Sequence, residues 1–308
     1  MFSRKALYHL LALAVVAVWG VTFVCTKTLI GAGMDPAGIF AIRFALAYAG
    51  IWALCLSKGE TRLKSRTWKD ELMFLFLGIT GGSFYFLTEN TALAYAQASN
   101  VAFLVCVAPV FTAIFTLVGR KFPSGRFVDG LEDVKVGFPL IGGTLLALVG
   151  MAMVLFDGSS LELSLKGDLL SIGAALCWAL YSMFMGQMTK DYGALMATRK
   201  VFFYGLLTII PFLSGSAGSF SVSVLSQPVV YLNLLFLGLI ASLACFVAWN
   251  VAMSKLGNVT STNYVYLNPV FTLITAAIIL GERMSAMSLA GSVAILAGVI
   301  LAGRRQKA

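Results

Sequence analysis

The chain has 308 residues, of which 59 % are hydrophobic and 11 % charged, with a net charge of +9. Soluble domains carry about 25 % charged residues and need polar side chains to cover their surface, so this composition excludes a soluble globular fold. The apolar runs are long and rich in Leu, Ala, Gly, Phe and Val. That excludes the short alternating strands of a membrane barrel and leaves helices, whose backbone polar groups are satisfied internally in lipid.

From the N-terminus, the runs predict ten spans, at 7–30, 36–56, 71–95, 99–118, 138–155, 167–188, 193–213, 229–253, 260–280 and 286–302. Each is near the ~20 residues that cross a ~30 Å hydrocarbon core. The first follows Arg4 and Lys5, as a signal peptide would, but is too long for one and is followed by similar runs. The five cysteines (Cys25, Cys55, Cys106, Cys177, Cys245) lie in these runs without CxxC spacing and read as small buried hydrophobes. With His9 the single histidine, no metal site and no cofactor is expected.

Charge placement gives the orientation. With the N-terminus inside, sixteen of the 22 Lys and Arg fall on the cytoplasmic side. Lys166 and Arg283 fall outside, and Lys27, Arg43, Arg199 and Lys200 fall within spans. This is the positive-inside bias, not a nucleic-acid patch. Both termini are expected in the cytoplasm, and the chain is read as a multi-pass protein of the cell's inner (plasma) membrane.

The chain also repeats. Residues 77–112 align with 237–272 at a constant offset of 160. Leu77-Gly78 meets Leu237-Gly238, Phe86 meets Phe246, Asn90 meets Asn250, and Pro109-Val110-Phe111-Thr112 meets Pro269-Val270-Phe271-Thr272. With small drifts in offset, Trp19 pairs with Trp178, Arg43 with Arg199, and Gly143 and Gly150 with Gly291 and Gly298. Two five-helix units, 1–160 and 161–308, are expected. An odd helix count per unit forces the second unit to enter the membrane from the opposite face. The fold expected is therefore all-α, ten transmembrane helices in two inverted five-helix repeats around a central cavity, as in secondary transporters.

These residues carry a resemblance. Trp19-Gly20 with Thr22-Phe23, Arg43-Phe44 after Asp35-Pro36, Ala92-Leu93-Ala94-Tyr95 and Pro109-Val110-Phe111 mark the first half. Gly167-Asp168-Leu169-Leu170, Cys177-Trp178-Ala179-Leu180-Tyr181, Leu267-Asn268-Pro269-Val270-Phe271 and Leu280-Gly281-Glu282-Arg283 mark the second. In this order the chain resembles the drug/metabolite transporter superfamily, of the ten-helix EamA type, over nearly its whole length. One departure is that the Gly-Glu-Arg turn has no counterpart after Leu117, where Gly119-Arg120-Lys121 and an insertion to Gly137 stand. The resemblance implies a ten-helix basket, a cavity lined mainly by helices 1, 3, 4, 6, 8 and 9, and export or uptake of metabolites, amino acids among them. It implies no catalytic residue.

Polar groups at membrane depth are costly, roughly 2.5–3.5 kcal/mol for a mid-span charge, and so need a reason. Glu89 is the one carboxylate well inside a predicted span, and Arg43 lies at similar depth in the next helix. Two readings stand: Glu89 couples protons or meets a substrate amine, or it forms a structural ion pair with Arg43. Arg199 and Lys27 read as snorkelling cations. Candidate substrate contacts are Trp19, Phe23, Glu89, Asn90, Trp178, Tyr181, Trp249, Asn250 and Tyr264. Trp178 and Tyr181 share a helix face at i, i+3, and Asn90 and Asn250 occupy matched positions where an amide would avoid lipid. Such a lining suits a small polar-headed solute and not a multiply charged phosphate. Pro109 and Pro269, at equivalent mid-span positions, are expected to act as hinges.

The function expected is alternating-access transport of a small metabolite, an amino acid or similar, with export favoured and protons a candidate partner. The alternative is a facilitative channel, receptor or scaffold. An enzyme would need a nucleophile–base pair or metal ligands that the spans do not offer. No GxxxxGK[ST] loop is present, so ATP has no expected role, and ten helices can enclose a cavity as a monomer.

Overall fold

The structure, a computed structural model, describes residues 4–61, 64–96, 98–121, 137–155, 165–280 and 286–302. Among these residues there is no strand. The longer helices are α1 (Arg4–Gly31), α2 (Pro36–Ser57), α3 (Trp68–Tyr95), α4 (Ala98–Val105 and Ala108–Gly119) and α5 (Phe138–Leu155). They continue with α6 (Leu165–Tyr192), α7 (Ala194–Gly215), α8 (Pro228–Leu256), α9 (Asn258–Thr262 through Asn268–Leu280) and α10 (Ala286–Ala302). The Gly281-Glu282-Arg283 turn, most of the insertion before α5, the boundary between the two expected units, and the basic residues Arg62, Arg126, Lys135, Arg304, Arg305 and Lys307 lie outside the described residues.

Seven stretches are long and apolar enough to cross a membrane: α1, α2, α3, Val101–Gly119 of α4, α6, α7 and α8. Shorter apolar stretches occupy Phe138–Gly150 and Leu289–Gly298. In α9 a 3₁₀ segment, Asn263–Leu267, divides the run, so neither helical piece spans alone. The chain is thus a multi-pass helical membrane protein.

Local chemistry sets the helix ends. Asp35 caps α2 by accepting from the backbone N–H groups of Ala37 (2.9 Å) and Gly38 (3.3 Å), with Pro36 in the first turn where its missing N–H costs nothing. Thr67 caps α3 through Asp70 N–H. Gly257, at φ +95°, turns the chain between α8 and α9, a conformation that strains residues with a Cβ.

Two features interrupt regular helix. A π segment covers Ile79–Ser83 in α3 and another covers Phe236–Ala244 in α8, the second containing the residues 160 positions on from the first. Wider π turns leave carbonyls off the regular ladder. Trp19 uses one, donating its indole N–H to Ala241 O at 2.9 Å. The helical pieces of α4 and α9 also restart at matched places, with Pro109 and Pro269 each second in its new piece.

α5 and α10 pack against each other through their glycines. A Cβ on Gly150 would lie 2.6 Å from Gly291 O, and one on Gly298 would lie 2.6 Å from Gly143 O. The late glycine of each helix faces the early glycine of the other, so the two run antiparallel. In lipid, such close backbone approach supplies the packing that burial from water supplies elsewhere.

Candidate functional site

The interior of the bundle holds a narrow, partly open cavity. Its walls come from seven helices. α1 supplies Trp19, Thr22 and Phe23; α2 supplies Arg43; α3 supplies Tyr85, Phe86 and Glu89. Val105 of α4, Trp178 of α6, Phe246 of α8, and Val265 and Asn268 of α9 complete it.

The α1 and α3 contributions follow helical spacing. Trp19, Thr22 and Phe23 share one face, as do Tyr85, Phe86 and Glu89. The Tyr85 hydroxyl and the Glu89 carboxylate stand one helical turn apart on this face. Aromatic rings form one wall. Trp19 meets Trp178 edge-on at 5.2 Å between centroids and Phe246 at 5.7 Å, while Tyr85 lies 5.2 Å from Trp178. Such pairs fix ring orientation beyond what burial alone does.

Arg43 is held from two sides. Its Nε donates to Ser242 Oγ at 3.0 Å, in the π segment of α8, and its guanidinium carbon stands 4.4 Å from the Phe86 ring centroid. Only 1 % of the residue is exposed, and Nη1 is buried without a hydrogen-bond partner. Glu89, 3 % exposed, lines the same cavity, yet the two form no direct ion pair among the described residues. Ser242 and Phe86 anchor the guanidinium from either side.

Of the candidate contacts read from the sequence, Trp19, Phe23, Glu89 and Trp178, with Arg43, meet at this cavity. The others stand behind or away from its lining. Tyr181 donates to Asn250 Oδ1 at 2.6 Å and Asn250 Nδ2 donates to Thr198 Oγ1 at 2.8 Å, a buried link joining α6, α7 and α8. Asn90 Nδ2 donates to Pro36 O at 3.0 Å, bracing α3 against α2. Trp249 is fully buried 5.0 Å from Trp19, and Tyr264 pairs with His9 Nδ1 at 2.7 Å.

Thr22, Tyr85, Phe86, Val105, Phe246, Val265 and Asn268 line the cavity without having been singled out as contacts. The signal for some was present: Tyr85 and Glu89 are i, i+4, and Phe86 and Phe246 are repeat mates. The remaining intramembrane cations have local partners. Lys27 donates to Leu93 O (2.6 Å) and Ala96 O (2.8 Å) at the C-terminal end of α3, Lys200 pairs with Glu71 at 2.5 Å, and Arg199 donates to Glu60 O at 3.1 Å.

Similarity to known proteins agrees with this architecture. The model of the EamA-like transporter family matches twice, over residues 6–124 and 165–304. A "Probable amino-acid metabolite efflux pump" of Salmonella typhimurium is 28 % identical, covering 94 % of this chain and 93 % of that protein. A "Probable terminal-alkyne amino-acid exporter" of Streptantibioticus cattleyicolor is 24 % identical, covering 94 % of each chain. An "Uncharacterized transporter" of Archaeoglobus fulgidus is 27 % identical, covering 97 % and 98 %. A solved crystal structure superposes with a TM-score of 0.70 at 19 % identity, over 98 % of this chain and 97 % of the other, so the fold is one already observed. The chain belongs to the EamA-like transporter family and is a membrane transporter of a small molecule.

Proposed function

We propose that the protein is a secondary carrier that exports an amino acid or a similar small metabolite across the inner membrane by alternating access. The observation that carries this reading is one cavity built jointly by the two halves of the chain, with the opposite charges Arg43 and Glu89 on its walls. Two family matches along one chain, paired π segments and the antiparallel glycine contact of α5 with α10 support inverted five-helix units at 1–160 and 161–308. Inverted halves give two states, open to opposite faces, from one scaffold. With ten spans both termini lie in the cytoplasm, in keeping with the positive-inside bias. The relatives named for amino-acid export support that cargo class.

Trp19, Phe23, Glu89 and Trp178 contact cargo directly. Asn90, Tyr181, Trp249, Asn250 and Tyr264 shape the wall behind them, and Pro109 and Pro269 mark where α4 and α9 bend. The cavity is complete within one chain, which supports a monomer as the transport unit. Protons are the candidate coupling ion, through Glu89. The test is two-sided accessibility of Thr22→Cys in a background without other cysteines, probed with a membrane-impermeant maleimide. Labelling from each face in turn is expected; labelling from one face alone contradicts alternating access.

A further inference from the structure

We propose that the cavity recognises a zwitterion, with Arg43 taking the cargo's carboxylate while Glu89 and Asn268 take its ammonium. The proposal deepens the carrier reading and rests on it. A guanidinium has five N–H donors in a fixed fork, and that of Arg43 commits Nε to Ser242 and a face to Phe86. Nη1 remains, buried and without a partner, on a residue that lines the cavity. An unmade charged hydrogen bond in the interior is expensive, and a carboxylate is the group that satisfies such a fork best.

The other polar groups of the same lining include acceptors. Glu89 lines the cavity beside Tyr85, and a carboxylate accepts about four hydrogen bonds. Asn268 Oδ1 is buried with no partner on the same cavity. An ammonium has three donors and no acceptor, which complements this pair. Because Arg43 and Glu89 make no direct ion pair, a solute with one charge makes close polar contact with only one of them. A solute with both charges satisfies both. Trp19 and Phe246 beside them offer apolar surface to the rest of the cargo.

The test uses the purified full-length protein and ligand-induced thermal shifts with three probe series: the common L-amino acids, their amides, which keep only the ammonium, and their deaminated acids, which keep only the carboxylate. At least one amino acid is expected to bind, with its amide and its deaminated acid each weaker by roughly tenfold or more. Arg43→Gln should erase the preference over the amide but keep that over the acid, and Glu89→Gln should do the reverse. If either variant fails to fold, the wild-type series still decides. An amide or acid that binds as tightly as its parent overturns the proposal. So does a protein that binds no amino acid at millimolar concentration while carrying other metabolites in a flux assay. Absence of flux with every solute would instead remove the carrier reading beneath it.

Discussion

Arg43 and Glu89 face one cavity from neighbouring helices without closing into an ion pair. Two opposite charges buried at membrane depth without direct contact are a cost that a purely structural brace would reduce by closing the pair. Arg43→Lys should keep the charge but lose both the Ser242 bond and the planar contact with Phe86, because an ammonium lacks the fork. Transport should fall about tenfold or more. Thermal stability should drop by about 1–3 kcal/mol, the range for one charge-assisted hydrogen bond with a cation–π contact. Wild-type flux in reconstituted Arg43→Lys would show that the geometry of the guanidinium is immaterial.

Glu89→Gln tests the coupling role. It keeps the shape but removes the titratable group. If protons are coupled through Glu89, flux in proteoliposomes should lose its response to an imposed pH gradient. An unchanged rate with an unchanged pH response takes Glu89 out of coupling.

The glycine crossing makes a sharper structural prediction. Gly150→Val and Gly298→Val should each destabilise the protein by about 1–3 kcal/mol or more, since each new Cβ would press on backbone. Their effects should be similar because the two contacts are mirror cases. Gly142→Ala is the control: its nearest neighbour is the Phe138 ring at 3.5 Å, an ordinary contact, so a change within about 0.5 kcal/mol is expected. Thermal unfolding in detergent reads all three.

The buried link Tyr181–Asn250–Thr198 should matter for stability more than for affinity. Interhelical hydrogen bonds in membrane proteins average about 0.6 kcal/mol and reach about 1.7. Asn250→Leu breaks two, so a loss of about 1–3 kcal/mol is expected, with the apparent affinity for cargo within about twofold of wild type. A large affinity change at constant stability would move Asn250 to the cargo.

Pro109 and Pro269 begin the second pieces of α4 and α9, where a missing N–H does no harm. The breaks are built into the preceding turns, so replacing proline should not weaken folding. Pro109→Ala and Pro269→Ala should instead slow turnover several-fold. Normal flux in both means that bending at these points is not part of the cycle.

How far the sequence disclosed this architecture depends on the kind of feature. Apolar runs locate the helices, because a span in lipid must be long and continuous. The same runs hide the π segments and the divided α4 and α9, since hydropathy is blind to a locally changed hydrogen-bond register. Equal depth brings Arg43 and Glu89 together, but depth says nothing about Ser242, nearly two hundred residues away, which accepts from the guanidinium Nε. Repeat alignment marks Asn90 and Asn250 as matched, yet one bonds the α2 backbone and the other a tyrosine and a threonine. Their polarity is satisfied by neighbours that only the packed bundle supplies.

A carrier that works by alternating access passes solute through a cavity open to one face at a time. Counterflow in proteoliposomes tests it most directly: vesicles loaded with unlabelled amino acid are diluted into trace labelled amino acid with no other gradient. Transient, saturable accumulation of label above its equilibrium level is expected, absent in Arg43→Gln vesicles. Flux that is linear in concentration and never overshoots would mark a channel and contradict it.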